Sequence, residues 1–206
     1  MHPILLDLID DFQTGGDLQK DVTTFLIHHD CPKTAAHCME VGEIAASLAA
    51  RFNVDEGAAQ QAGWLHDISA VFPNSERLEI SRALGIAILP EEEKEPLLLH
   101  QKLSVVIAEE VFKIRDEGVL SAIGCHTTLK AQASELDKVV FVADKLARDQ
   151  KRKRIPPFKE RLEEALEVSL DKAVWAYQDY LWHSGKMRVV HPWLRESYVE
   201  LSMDEK

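Results

Sequence analysis

Apolar residues recur along this chain at intervals of three and four, with no sustained alternation, a pattern that predicts amphipathic helices and no strands. Ile4, Leu5, Leu8, Ile9 and Phe12 form a first stripe that stops at Gly15-Gly16, and Leu18, Val22, Phe25 and Leu26 form a second that reaches His28-His29-Asp30. Together they predict an N-terminal helical hairpin. Cys31-Pro32 breaks the pattern, and a helix is expected from about Thr34 to Phe52 with Val41, Ile44, Leu48 and Phe52 inward. Asp55 is suited to open the next helix, whose small face of Ala58, Ala59, Ala62 and Gly63 lets another helix come close. Pro73-Asn74 ends it, and a short helix from about Ser75 to Leu84 stops at Gly85 as a left-handed cap requires.

The acidic stretch from Pro90 to Pro96 reads as a solvated loop. Helices follow from Leu97 to about Phe112, with His100, Leu103, Ser104, Ile107 and Val111 on one face, and from about Asp116 to Thr127, aligning Val119, Ala122 or Ile123, and His126. Ser134-Glu135-Leu136-Asp137 has the form of a capping box, and the helix it opens aligns Leu136, Val140, Ala143, Asp144 and Ala147. After the basic run Lys151 to Arg154, Pro156-Pro157 opens one long helix through Leu181, closed by Gly185. The fold class is therefore all-α. The stripes divide the chain into an N-terminal hairpin (1–33), a helical domain (34–185) and a C-terminal tail (186–206), with no internal repeat.

Composition narrows the function classes. With 206 residues, 46% of them hydrophobic, the chain suits one compact domain. Acidic residues outnumber basic ones by 35 to 24, and a net charge of -11 argues against a duplex nucleic-acid binder while leaving room for a local anion site. The N-terminus lacks the order of a secretory signal, and no uncharged run approaches the roughly 18 residues of a membrane span, so a cytoplasmic protein without a membrane partner is expected. Cys31, Cys38 and Cys125 are odd in number and lack C-x-x-C spacing, which reads as reduced, buried thiols. The apolar surface of the first hairpin suits a homodimer.

The chemistry lies in polar residues that interrupt the stripes. His37 stands four residues before Val41 on one stripe, and His66 and Asp67 continue the line of Ala59, Ala62 and Gly63. His100, His126 and Asp144 fall on the apolar faces of three later helices. Adjacent helical residues point about 100° apart, so His66 can hold one ion while Asp67 reaches toward a second. One histidine on such a face is ordinarily a hydrogen-bonded core residue, but four imidazoles and two carboxylates buried together need a partner. One or two divalent metal ions supply it. Nitrogen and carboxylate oxygen without thiolate suit iron, manganese, zinc or magnesium better than a soft-metal site.

The ordered blocks His37-Cys38-Met39-Glu40-Val41, Ala62-Gly63-Trp64-Leu65-His66-Asp67, Leu98-Leu99-His100, Ala122-Ile123-Gly124-Cys125-His126-Thr127-Thr128 and Leu136-Asp137-Lys138-Val139-Val140-Phe141-Val142-Ala143-Asp144-Lys145 resemble the HD-domain metal-dependent phosphohydrolases. In detail they are similar to the YqeK-like branch of symmetrical bis(5'-nucleosyl)-tetraphosphatases. The likeness spans roughly Thr34 to Leu181. It implies an HD-type helical bundle with the six residues as ligands, Asp67 bridging, His37, His66 and Asp144 on one metal, His100 and His126 on the other. His66 and Asp67 would then stand at the catalytic heart, with a metal-activated water splitting a dinucleoside tetraphosphate into two nucleoside diphosphates. Two alternatives are another nucleotide or small phosphate ester as substrate, and a non-catalytic nucleotide-binding HD module.

The chain departs from the family pattern at Ala70, where a lysine is usual, at Thr34, where an arginine is usual, and at Leu129 in place of glycine. Ala147-Arg148-Asp149-Gln150 replaces a Glu-Pro-x-x-Arg-like stretch. Those lost groups are of the kind that hold phosphate, and Lys145, Arg148 and Arg152 are candidate replacements, weighed against a solvated basic loop. Trp64 is a candidate base contact, weighed against core packing. His28 and His29 fit a dipole contact at a helix end better than an acid-base role.

Overall fold

A computed structural model describes the backbone of residues 1–150 and 157–203, with side chains described through 147 and from 160. Every regular element among them is helical. In chain order they are α1 (Pro3–Asp7), α2 (Leu18–His28), α3 (Pro32–Phe52), α4 (Glu56–Leu65), α5 (Arg77–Ala83), α6 (Pro90–Lys94), α7 (His100–Glu110), α8 (Glu117–Cys125), α9 (Glu135–Gln150), α10 (Pro157–Val168), α11 (Leu170–His183) and α12 (Pro192–Met203). Two short 3-10 turns, Ile68–Val71 and Pro96–Leu99, join α4 to the segment before α5 and lead into α7.

Local chemistry fixes where these helices begin and end. Asp17, Asp55 and Asp116 cap α2, α4 and α8 by accepting the amides of Lys20, Ala58 and Val119. Ser134 and Asp137 bond reciprocally before α9, Asp137 N to Ser134 Oγ at 3.1 Å and Ser134 N to Asp137 Oδ2 at 2.9 Å. Asn53, at φ 56°, closes α3 in the left-handed region, and Gly85 and Gly185 stand at positive φ after α5 and α11.

Two apolar clusters form the core. One gathers Phe25, Cys38, Leu65, Ile68, Leu103 and Ile123, the other Val41, Leu48, Leu129, Phe141, Leu162 and Val174. α3, α4, α8 and α9 each contribute to both clusters. α3 and α4 approach until their backbones touch. A Cβ on Gly63 would stand 2.6 Å from Gly42 Cα, and one on Gly42 would meet the Trp64 ring.

Four expectations need correction. The first helix ends at Asp7, and three-residue turns carry the chain to Phe12, because Asp7, Asp10 and Asp11 are ill placed at the negative end of a helix. The acidic stretch is not all solvated: Glu92 on α6 is fully buried, where it accepts from Lys102 Nζ at 2.7 Å and from the Leu89 amide at 2.8 Å, with His191 Nε2 at 3.4 Å. The helix after Pro157 is two helices. Ser169, extended at φ -167°, breaks it and caps α11 through the Lys172 amide at 3.0 Å. The C-terminal stretch is largely α12, which docks on α11 through Gln178 to Ser197 at 3.0 Å and a stacked Trp182–Tyr198 pair. Lys151 to Arg154 and Pro156 lie outside the described residues.

Candidate metal centre

His66 terminates α4, His126 terminates α8, and His100 ends a 3-10 turn as α7 begins. In each, Nδ1 faces the carbonyl three residues earlier: Gly63 at 2.8 Å, Ile123 at 2.8 Å and Leu97. A carbonyl oxygen only accepts, so Nδ1 carries the hydrogen and Nε2 of the neutral ring keeps its lone pair. The ends of the helices thus set both ring orientation and tautomer. His37 enters from α3 and Asp144 from α9.

Asp67 divides this constellation in two. Its Oδ2 lies 3.4 Å from His66 Nε2 and 3.9 Å from His37 Nε2, while its Oδ1 lies 3.4 Å from His100 Nε2 and 3.5 Å from His126 Nε2. Asp144 Oδ1 joins the first half, 3.1 Å from His37 Nε2 and 3.8 Å from His66 Nε2. Two groups able to hold a metal ion result, His37 with His66 and Asp67, and Asp67 with His100 and His126. All six residues singled out from the sequence meet in one place.

The donors fit divalent cations. His66 Nε2 is buried and has no hydrogen-bond partner among the described residues. His100 Nε2 and His126 Nε2 stand 3.0 Å apart. Two lone pairs facing each other repel unless something positive lies between them, and nitrogens about 2.1 Å from one ion at right angles are separated by about 3 Å. Burial pushes the His100 pKa down to about 3 and lowers that of His126, so both rings are neutral and ready to ligate at pH 7. Burial also opposes charge on Asp67, but His66, His126 and His100 outweigh it and hold the carboxyl well below the usual range. Burial likewise disfavours a charged His66, yet Asp67 outweighs it and raises that pKa well above the ordinary value. A proton and a cation therefore compete for the His66 nitrogen.

Beside the centre lies a cavity of about 650 Å³, lined among others by Asn74, Leu97, Thr127, Lys145, Tyr177 and Arg188. The Thr127 hydroxyl stands 3.0 Å from His100 Nε2, so the cavity wall reaches the position an ion on that nitrogen would take. Gln101 fixes that turn by accepting the Thr127 amide and donating to Thr128 Oγ1. Lys145 lines the cavity, but its buried ammonium donates to Asp144 Oδ2 and to the His126 carbonyl, both at 2.8 Å. Its nearest role is to balance a buried carboxylate. The side chains of Arg148 and Arg152 lie outside the described residues. Trp64 does not line the cavity; it packs across α3 against Gly42, and Tyr177 is the aromatic on the cavity wall. His28 and His29 are also remote from it, His29 Nε2 donating to the Leu8 carbonyl at 3.0 Å.

The sequence reading missed Thr127, Tyr177, Lys186, Arg188 and His191 on this wall. Thr127 follows His126 directly, and that adjacency was the one available signal. His191 is buried by a partner, Glu92, 99 residues away, which no local pattern reveals.

The sequence model of the HD domain matches residues 34–149. An uncharacterized protein in the pepC 5' region of Lactococcus lactis subsp. cremoris is 47% identical over 148 residues, 72% of this chain and 74% of that protein. A symmetrical bis(5'-nucleosyl)-tetraphosphatase of Staphylococcus aureus is 33% identical over 110 residues, 52% of this chain, and the match spans only 55% of that enzyme. Among solved structures, a predicted HD superfamily hydrolase involved in NAD metabolism from Clostridium acetobutylicum superposes with a TM-score of 0.80 at 28% identity, covering 91% of this chain and 97% of that one. No helix among the described residues is long and apolar enough to cross a membrane.

Proposed function

The chain belongs to the HD-domain family of metal-dependent phosphohydrolases, and on that premise we propose that it cleaves a dinucleoside tetraphosphate symmetrically into two nucleoside diphosphates. One observation carries the reading: the two oxygens of Asp67 face two separate sets of imidazoles, the disposition a carboxylate needs to bridge a pair of ions. In this reading His37, His66 and Asp144 complete one site and His100 and His126 the other. Iron is the proposed metal, and the same four imidazoles and two carboxylates would also accept manganese, zinc or magnesium. When bound, the ions supply charge neutralisation on the phosphoryl oxygens and lower the pKa of a water so that it attacks phosphorus at neutral pH.

The chain's own residues do the rest. Carbonyl-locked imidazoles hold their lone pairs on the two sides of Asp67, so little reorganisation accompanies reaction. The Leu97 carbonyl orients His100, with the Thr127 hydroxyl beside its Nε2 on the cavity side, and Lys145 offsets the negative charge of Asp144. Tyr177 lines the cavity as an aromatic beside the space for a base, and Lys186 brings a cation to the wall for a polyphosphate, while Arg188 there is paired with Glu95. The three reduced cysteines accord with a cytoplasmic location.

A second reading, hydrolysis of another nucleotide or a small phosphate ester, is favoured by one fact. Tyr177, Lys186, Arg188 and His191 all lie beyond residue 149, where the HD match ends, so half of the cavity wall lies outside the family core. The deciding experiment assays a nucleotide panel with purified, metal-analysed protein, using His66→Ala and Asp67→Ala as controls. Diadenosine tetraphosphate turned over to ADP supports the first reading, turnover of other phosphates alone supports the second, and nucleotide binding without any turnover refutes both.

A further inference from the structure

Arg77 opens α5 and is only 6% exposed. A guanidinium carries five N–H donors and a permanent charge, and burying it is costly unless carboxylates or several acceptors surround it. Here Arg77 Nη1 donates to the Leu97 carbonyl at 3.3 Å, and Nε is buried with no partner. Among the described residues no carboxylate lies within ion-pair distance, although the charge of Asp67 is close enough to favour the cation. Its location is informative. The Leu97 carbonyl also accepts Nδ1–H of His100, so the guanidinium is one shared acceptor away from a residue of the candidate centre. Asn74, three residues earlier, and Leu97 both line the cavity.

A buried cation whose Nε lacks an acceptor, held on the carbonyl that orients His100 and three residues from Asn74 on the cavity wall, best matches a phosphoryl group. A forked, planar donor meets two phosphate oxygens at once, which a lysine cannot do. We propose that Arg77 is a substrate-contacting residue whose guanidinium binds non-bridging oxygens of the phosphoryl group held beside His100. This rests on the phosphohydrolase reading of the centre but goes beyond it by naming the cation that meets the scissile phosphate. It differs from Lys145, whose ammonium Asp144 already engages. It differs as well from Arg188, which is exposed and paired with Glu95 at 3.3 Å.

The test compares the full chain with Arg77→Gln and Arg77→Lys, and with Arg82→Gln as a surface control, since Arg82 pairs with exposed Glu93. Each is loaded with manganese and titrated with inorganic pyrophosphate by calorimetry. Metal affinity is measured separately by chelator competition, and thermal unfolding checks that each variant folds. Arg77→Gln is expected to bind pyrophosphate about 10- to 100-fold more weakly than the parent. Arg77→Lys should fall between them, with metal affinity unchanged in both.

Equal pyrophosphate affinity in parent and variants overturns the proposal, as does a parent that binds no pyrophosphate. Weakened metal binding with normal pyrophosphate binding overturns it too, because Arg77 would then merely position His100 through Leu97. If no nucleotide is hydrolysed yet pyrophosphate binding depends on Arg77, the function reading fails and this one stands. If hydrolysis proceeds with kcat and KM unaltered in Arg77→Gln, the reverse holds.

Discussion

Replacing Gly63 with alanine sets two well-understood effects against each other. Alanine is the better helix former by about 1 kcal/mol in a helix interior, so propensity alone forecasts a gain. The added methyl would lie 2.6 Å from Gly42 Cα and 2.8 Å from Gly42 N, main-chain atoms that no rotamer change can move aside. Ordinary contact begins near 3.4 Å, so α3 and α4 must part by roughly 0.8 Å. Overpacking of this kind costs about 1–3 kcal/mol, leaving a net loss of about 0–2 kcal/mol. At about 2–4 °C per kcal/mol for a domain this size, thermal unfolding shifts by only a few degrees.

Function should suffer more than stability. His37 rides on α3 and His66 on α4, and metal–ligand distances tolerate only about 0.2 Å. A displacement approaching 1 Å near reacting groups costs on the order of 100-fold in rate. Gly63→Ala is therefore expected to melt within a few degrees of the parent, bind metal more weakly, and lose about two orders of magnitude in turnover. Gly57→Ala, in the first turn of the same helix, would meet only an Asp55 carboxylate oxygen at 3.3 Å and should retain full activity. If Gly63→Ala melts higher and keeps both metal and rate, the two backbones are not in contact and the reasoning is wrong.

Acid should destabilise the chelator-treated protein from about pH 6.5 downward. His100 titrates near 3 when folded against 6.5 when unfolded, so the unfolded chain binds more protons between those values and stability is lost as pH falls. His126 and Asp67, both lowered, add in the same direction, and His66, raised, is protonated in both states across this window and adds no slope. Urea midpoints should drop steadily across it; a flat profile contradicts the assignment. Leu129→Gly relieves a left-handed residue at φ 56°, worth about 1–2 kcal/mol, but empties a fully buried site worth about 2–5 kcal/mol, so net destabilisation is expected in equilibrium unfolding and a net gain would refute it. Glu92→Ala strands Lys102 and His191 and should cost about 3–5 kcal/mol in urea unfolding, while KM rises more than kcat falls because His191 belongs to the cavity wall. An unchanged midpoint would show that the buried carboxylate is dispensable.

Much of the fold was legible because its signals are local. Asp55, the Ser134 and Asp137 pair, Gly85 and Gly185 announce helix boundaries within four residues of the bonds they make. The convergence of His37, His66, Asp67, His100, His126 and Asp144 was legible for a related reason, since each lay on an apolar face that had to point inward. What stayed hidden depends on distant partners. The burial of Glu92 requires Lys102 and His191, and the apolar stripe runs straight through Ser169 although its backbone is extended. Gly63 advertised a close approach, but nothing local named Gly42 as the residue it meets. The cavity wall after Gly185 and the unused donors of Arg77 follow from packing alone.

Of the three imidazoles locked by Gly63, Ile123 and Leu97, His66 and His126 sit where a rod runs out of its own amide donors and His100 where a 3-10 turn hands over to the next rod, so each ring marks a change of segment as well as pointing inward. Aiming is thereby delegated to main-chain direction, and no tailored loop is required. A builder wishing to transplant this arrangement would need only a bundle whose rods begin or end around one centre, with histidine at each such end.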